Sequence, residues 1–343
     1  MTLINHMDAE SSIHATPVTE SATTAQPAWS LALQGPEYRW ALPILSSLPT
    51  STAYKLALWR GQFNTRHDRD WVSLGLRHRH VAAQTASGLA EWLAPEQIDA
   101  LVIERFETVS REEMECRALD RFGLQWFDID ANAALERLTQ RPRGRGVVLL
   151  TAHLETFVLG IAALAQCGEV IHPVMSRVSA DSRLHPAVRN HFIRKYAGLQ
   201  RHLNGGTLAN AEDSMRHFYR ALARDEAVVV LCDAPAPSGS RQLCVPWVDG
   251  RRAMAQGAMR MAQACGSAVG AFACEWRGGR RHAVHLSPLM ELPALGLDQC
   301  AVHAYEFLAR HIRNRPGRWW ASHLLPACTP CHATTEGAGC TGL

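Results

Sequence analysis

The stretch of the chain richest in chemistry is Leu149-Leu150-Thr151-Ala152-His153-Leu154-Glu155-Thr156-Phe157. An apolar run stops at a histidine, and a helix-like pattern follows. Catalytic groups in α/β sheets gather at the carboxyl ends of strands. The free N–H groups of a following helix can hold developing negative charge. A histidine placed there suits removal of a proton from an acceptor while a carbonyl carbon is attacked. A histidine that only caps the turn is the plainer alternative. Arg177 ends the run Pro173-Val174-Met175-Ser176-Arg177. Its guanidinium fork fits a phosphate or carboxylate, or else a surface salt bridge. Asp233 ends Val230-Leu231-Cys232-Asp233. It reads either as a site carboxylate or as a cap for the loop Pro235 to Gly239. Trp319-Trp320 reads as core more readily than as a membrane-interface anchor.

These residues need a scaffold, and the flanking patterns supply one. Gly146 to Thr151 predicts a buried parallel strand. Leu154 to Gln166 predicts a helix, Glu169 to Met175 a strand, and Pro186 to Tyr196 a helix. Ala211 to Arg224 continues as a helix and Ala227 to Cys232 as a strand. Met254, Ala258, Met261, Ala262 and Cys265 mark a helix face closed by Gly266. Ala268 to Cys274 and His282 to Leu286 flank the turn Arg277-Gly278-Gly279-Arg280, a hairpin signal. Val302 to Ile312 marks a last helix. The alternation predicts an α/β fold with a mixed, mainly parallel sheet flanked by helices. Before it, residues 29–140 are mainly helical. Pro95 starts one helix there, and Arg111-Glu112-Glu113 is expected to start another. Residues 1–28 read as a disordered leader, 29–326 as one domain with its α/β core in 141–326, and 327–343 as a flexible tail.

Composition narrows the function. The chain has 343 residues, 47% hydrophobic and 20% charged, which is enough to bury a large core. A net charge of +3 gives no sign of nucleic-acid binding. No GxxxxGK[ST] or GxGxxG pattern supports a nucleotide fold. The longest apolar stretch, Val147 to Ala165, contains His153 and Glu155 and is not a spanning helix. No secretory pattern opens the chain, so the ten cysteines are expected to be mostly reduced and buried. The tail segment Cys328-Thr329-Pro330-Cys331-His332 resembles a haem or zinc motif only superficially, and no metal is expected there.

The blocks resemble, in order, those of the late acyltransferases of lipid A biosynthesis, within the lysophospholipid acyltransferase-like superfamily. Gly146 to Gly160 resembles the family's strand–His–helix segment, and Pro173 to Arg177 its next strand. Arg194-Lys195-Tyr196-Ala197-Gly198 resembles a basic helix end. Val230 to Asp233, Val245 to Ala253 and Ile312 to Trp320 resemble its later blocks. The resemblance implies transfer of a fatty acyl group from acyl carrier protein or coenzyme A to a hydroxyl or amine of a glycolipid or small molecule, without a metal or other cofactor. It implies His153 as general base, with Arg177, Asp233 and Arg194 as substrate-binding candidates. The family's acid lies five residues after the histidine, where this chain has Val158. Three readings follow: Glu155 replaces that acid, a distant acid such as Asp233 does, or the chain only binds acyl or lipid ligands. Retained activity is favoured, with His153 and Glu155 as the catalytic pair. The expected location is the cytoplasm, with at most a peripheral contact on the inner membrane.

Overall fold

The structure, a computed structural model, describes residues 27–72, 80–141, 144–237 and 239–331. Helices come first: α1 (Ala28–Pro36), α2 (Leu42–Leu45), α3 (Thr50–Arg66), α4 (Val81–Ala90) and α5 (Pro95–Phe122). A π-helical turn, Glu37–Ala41, joins α1 to α2. Pro95 opens α5 at a position where its missing N–H costs nothing, and Gly123, at φ 75°, ends it. The Arg111-Glu112-Glu113 segment therefore lies inside one continuous helix rather than starting a new one. Its charges are buried, not solvated: Arg111, Glu112, Glu113 and Glu115 all face the interior. Each finds a partner there, as buried charges must.

The α/β part then alternates. Its elements are β1 (Asp128–Asp130), α6 (Asn132–Thr139), β2 (Val147–Thr151), α7 (Phe157–Leu164), β3 (Ile171–Met175), α8 (Pro186–Gln200), β4 (Ala209–Asn210), α9 (Arg216–Ala223) and β5 (Ala227–Leu231). A hairpin of β6 (Gln242–Trp247) and β7 (Gly250–Ala255) precedes α10 (Gly257–Cys265). Then come β8 (Ala268–Trp276), β9 (Arg281–Leu286), β10 (Met290–Glu291), α11 (Leu292–Leu295) and α12 (Leu297–Asn314). The main sheet runs β1-β9-β8-β2-β5-β3-β4, with β10 beside β8. Within this sheet, among the described residues, only the β8–β9 and β8–β10 pairings are antiparallel. Helix α9 starts at Arg216, later than the Ala211 expected, because residues 211–214 turn back after β4.

All five residues of β2 are buried, since helices cover both faces of the central strands. Helix α7 lies close on the sheet: a Cβ at Gly160 would come within 2.8 Å of the Phe272 ring. Only glycine lets the helix that follows His153 pack this tightly.

The tail departs from expectation. Residues 328–331 run beside β7, with Ala253 N–H donating to Thr329 O and Cys331 N–H to Arg251 O. Cys331 is disulfide-bonded to Cys244 on β6, so these two cysteines are not reduced. Residues 328–331 of the expected tail are thus tied to the β6–β7 hairpin by these bonds. The remaining tail, with Cys340 and His332, and the leader up to residue 26 lie outside the described residues. Among the described residues no helix is long and apolar enough to cross a membrane.

Candidate active site

Strands β2 and β5 are parallel neighbours with Thr151 opposite Leu231. Cys232 N–H donates to Thr151 O just past this register. The same offset carried two residues further sets His153 beside Asp233. Their side chains meet there: His153 Nδ1 lies 2.8 Å from Asp233 Oδ1. Asp233 Oδ2 accepts the backbone N–H of His153 at 2.7 Å and the indole N–H of Trp319 at 2.8 Å.

Asp233 has no solvent exposure in its side chain, whereas that of His153 is 25% exposed. Burial alone would raise the Asp233 carboxyl. The His153 ring, the Trp319 indole and the His153 backbone N–H outweigh it and hold the carboxyl below its ordinary value. An ionised carboxylate can only accept, so Nδ1 must carry the proton in this bond. The lone pair then lies on Nε2. Among the described residues no protein group bonds to Nε2. Trp320 packs its ring edge-on at 4.5 Å and Phe157 at 5.6 Å. The result is a basic nitrogen on the half-open side of an apolar wall.

Glu155 does something different. It is left-handed at φ 50°, which turns the chain between His153 and α7. Its carboxylate is buried between Arg111, 3.1 Å from Oε2, and Arg318, 3.1 Å from Oε1. The backbone N–H of Trp276 donates to Oε2 at 2.7 Å. No bond joins Glu155 to His153, so it is not placed to orient the ring. The same segment that supplies Trp319 also clamps the turn. Glu155 N–H donates to Arg318 O and Trp320 N–H to His153 O, both at 3.0 Å. Trp320 Nε1–H donates to Glu155 O at 3.2 Å.

A buried polar layer underlies the clamp. Glu115 faces Arg111 at 3.2 Å and His282 at 3.1 Å, and accepts from Thr156 and from Tyr54. Burial would raise its carboxyl, but the cation and ring beside it lower it to about 2. Lys195 Nζ pairs with Glu112 at 2.5 Å and lies 5.4 Å from the centre of the Phe157 ring.

The other sequence candidates lie elsewhere. Arg177 is exposed and paired with Asp213. Arg194 is exposed and 3.8 Å from Asp120. Neither is bonded to His153 or Asp233. The substrate-contact reading of Asp233 does not fit either, because the carboxylate is fully enclosed and occupied by three protein donors. Its alternative reading as a cap for the following loop fails for the same reason. Of the two alternatives for Trp319-Trp320, core or membrane-interface anchor, both residues are buried, and neither alternative includes the hydrogen bond that the Trp319 indole N–H donates to Asp233. Among the described residues no three His, Cys, Asp or Glu side chains converge as a metal site.

The family model for bacterial lipid A biosynthesis acyltransferases matches residues 96–324, more than half of the chain. The chain belongs to that family. The matched region begins in the first turn of α5, takes in the whole sheet and the segment Arg318 to Trp320, and so contains His153, Asp233, Glu155 and Trp319. No curated relative matches the chain. In this chain the carboxylate beside His153 is that of Asp233, two residues past the end of β5, while Val158 is buried in the core where α7 meets the sheet.

Proposed function

We propose that this chain transfers a fatty acyl group from a carrier-protein or coenzyme A thioester to a hydroxyl of a membrane glycolipid. The observation that carries the reading is the 2.8 Å bond between His153 Nδ1 and the enclosed Asp233 carboxylate. In this reading Nε2 of His153 takes the proton of the acceptor hydroxyl as its oxygen attacks the thioester carbonyl. The carbon–sulfur bond breaks, and the thiolate leaves with the proton returned from the imidazolium. Asp233 holds the ring in the tautomer that leaves Nε2 free and stabilises the imidazolium. Trp319 positions Asp233, and Glu155 with Arg111 and Arg318 fixes the turn. Exposed Arg177 and Arg194 stay as proposed contacts for anionic parts of the substrates. The presence of an acid against the ring favours catalysis over a purely binding role. The proposed place of action is the cytoplasmic face of the membrane, where thioester donors are available.

The test is direct. Purified protein is incubated with acyl carrier protein and coenzyme A thioesters and detergent-dispersed lipid A precursors. Mass spectrometry should show a glycolipid heavier by one acyl chain. A thioester left intact with every glycolipid acceptor would overturn the reading.

A further inference from the structure

The N-terminal helices turn an unusual surface outward. Trp29 and Leu33 on α1, Trp40 and Ile44 just beyond it, and Leu56 and Trp59 on α3 are all exposed. Trp40 and Trp59 are 63% and 62% exposed. Trp29 on α1 and Trp59 on α3 are joined through Phe63, on which both pack, at 6.3 and 6.1 Å. Isolated surface apolar residues are ordinary, but a cluster of three tryptophans on adjoining helices marks an interaction face.

Among the described residues of α1–α3, the exposed charges have one sign. Arg39, Lys55 and Arg66 are exposed on these helices. The only acid between residues 28 and 66 is Glu37, which is neutralised by Arg60 and Arg69. At the border Gln62 is bonded to the half-buried Glu107. From these observations we infer that this face docks on an anionic lipid surface, with the tryptophans in the interfacial layer and the cations on the headgroups. Tryptophan favours that layer, and each nearby cation strengthens binding to anionic lipid. A second copy of the chain fits worse. A two-fold contact through this patch would set its cations against their own copies with no exposed acid to meet them.

The inner faces of the same helices are anchored beneath the site. Tyr54 donates to Glu115 at 3.0 Å, and Arg60 pairs with Glu113 at 2.6 Å. Both acids lie on α5, which also carries Arg111, the partner of Glu155. A bilayer bound to α1–α3 is therefore held rigidly relative to the turn that carries His153. The inference rests on the proposed membrane acceptor, yet its test needs no turnover.

The experiment is co-sedimentation of the full chain with vesicles. One set holds equal parts phosphatidylglycerol and phosphatidylcholine, the other phosphatidylcholine alone. Wild-type protein should bind the anionic set and be released by high salt. The double variant Trp40→Gln/Ile44→Gln should lose binding at least tenfold. Arg39→Glu/Lys55→Glu should lose on the order of tenfold or more on the anionic set only. Unchanged melting curves confirm that both fold, since these side chains are exposed. Wild-type levels of binding in both variants, or no binding by wild type, overturns the inference. So does vesicle binding that survives while affinity for an acidic carrier protein or self-association is lost. Transfer to a detergent-dispersed acceptor separates the two claims. Lost docking in the wild type with intact transfer sinks only the docking face, and intact docking without transfer sinks only the proposed function.

Discussion

Replacing Asp233 with asparagine changes one oxygen to an amide nitrogen and tests the tautomer argument. Asp233 Oδ2 accepts two fixed N–H groups, from the His153 backbone and the Trp319 indole. Oδ1 accepts only from the His153 ring. An asparagine will keep its oxygen where two donors converge and turn its NH2 toward the ring. Nδ1 must then become the acceptor, and the ring proton moves to Nε2. The nitrogen that should act as base is now a donor. In a serine protease the same aspartate-to-asparagine change, acting through the wrong tautomer, lowers kcat by about 10⁴. That corresponds to about 5 kcal/mol of transition-state stabilisation. Because two of the three bonds survive, the stability loss should be much smaller, about 1–3 kcal/mol for the charge-assisted bond that is lost. Initial rates of thioester consumption should fall between about 10³- and 10⁴-fold with KM little changed, and 15N NMR of the imidazole should report the switched tautomer. An Asp233→Asn protein with wild-type kcat would refute the reasoning and leave the orienting group unassigned.

Glu155→Gln should behave in the opposite way. It breaks two buried ion pairs and should lower unfolding free energy by about 3–5 kcal/mol, with a smaller loss of kcat in the folded fraction than Asp233→Asn. A variant with normal melting but activity as low as that of a His153 variant would return the orienting role to Glu155. Cys331→Ser opens a bond spanning a sequence separation of 87 and should cost roughly 4–5 kcal/mol in non-reducing denaturation, but little once reductant is added to both proteins. Equal stability of the two oxidised proteins would show that the strand beside β7 holds without the bond. The Glu115 carboxyl sits at about 2 when folded, below its ordinary value of 4.5. Its contribution is therefore present at neutral pH and lost as pH falls from about 4.5 toward 2. Circular dichroism should show declining thermal stability across that window, and a flat profile there would contradict the assignment.

Much of this was legible in the chain. The central strands announced themselves because residues buried on both faces leave an unbroken apolar run, as in Val147 to Leu150. His153 stood out because it interrupts that run at a strand end. The pairing with Asp233 was within reach but not compelled. Two strand ends, each followed at equal distance by a polar residue, signal a contact only if the strands are adjacent and in register, and adjacency is a tertiary fact. Glu155 misled because it is near in sequence, while its positive φ and its two arginines carry it elsewhere. The buried charges of α5 look like a solvated face in one dimension, since their partners Tyr38, Lys195 and Arg60 come from other helices. The Cys244–Cys331 bond had no local signal at all.

The role of His153 as the base in acyl transfer is reached most directly by a single-turnover comparison. Wild-type and His153→Ala proteins, matched in melting behaviour, are mixed in excess over one thioester donor with a dispersed glycolipid acceptor, and acylated product is followed by mass spectrometry. Without His153 the rate should be lower by on the order of 10²–10⁴-fold. Equal rates of product formation from the two proteins would contradict that role.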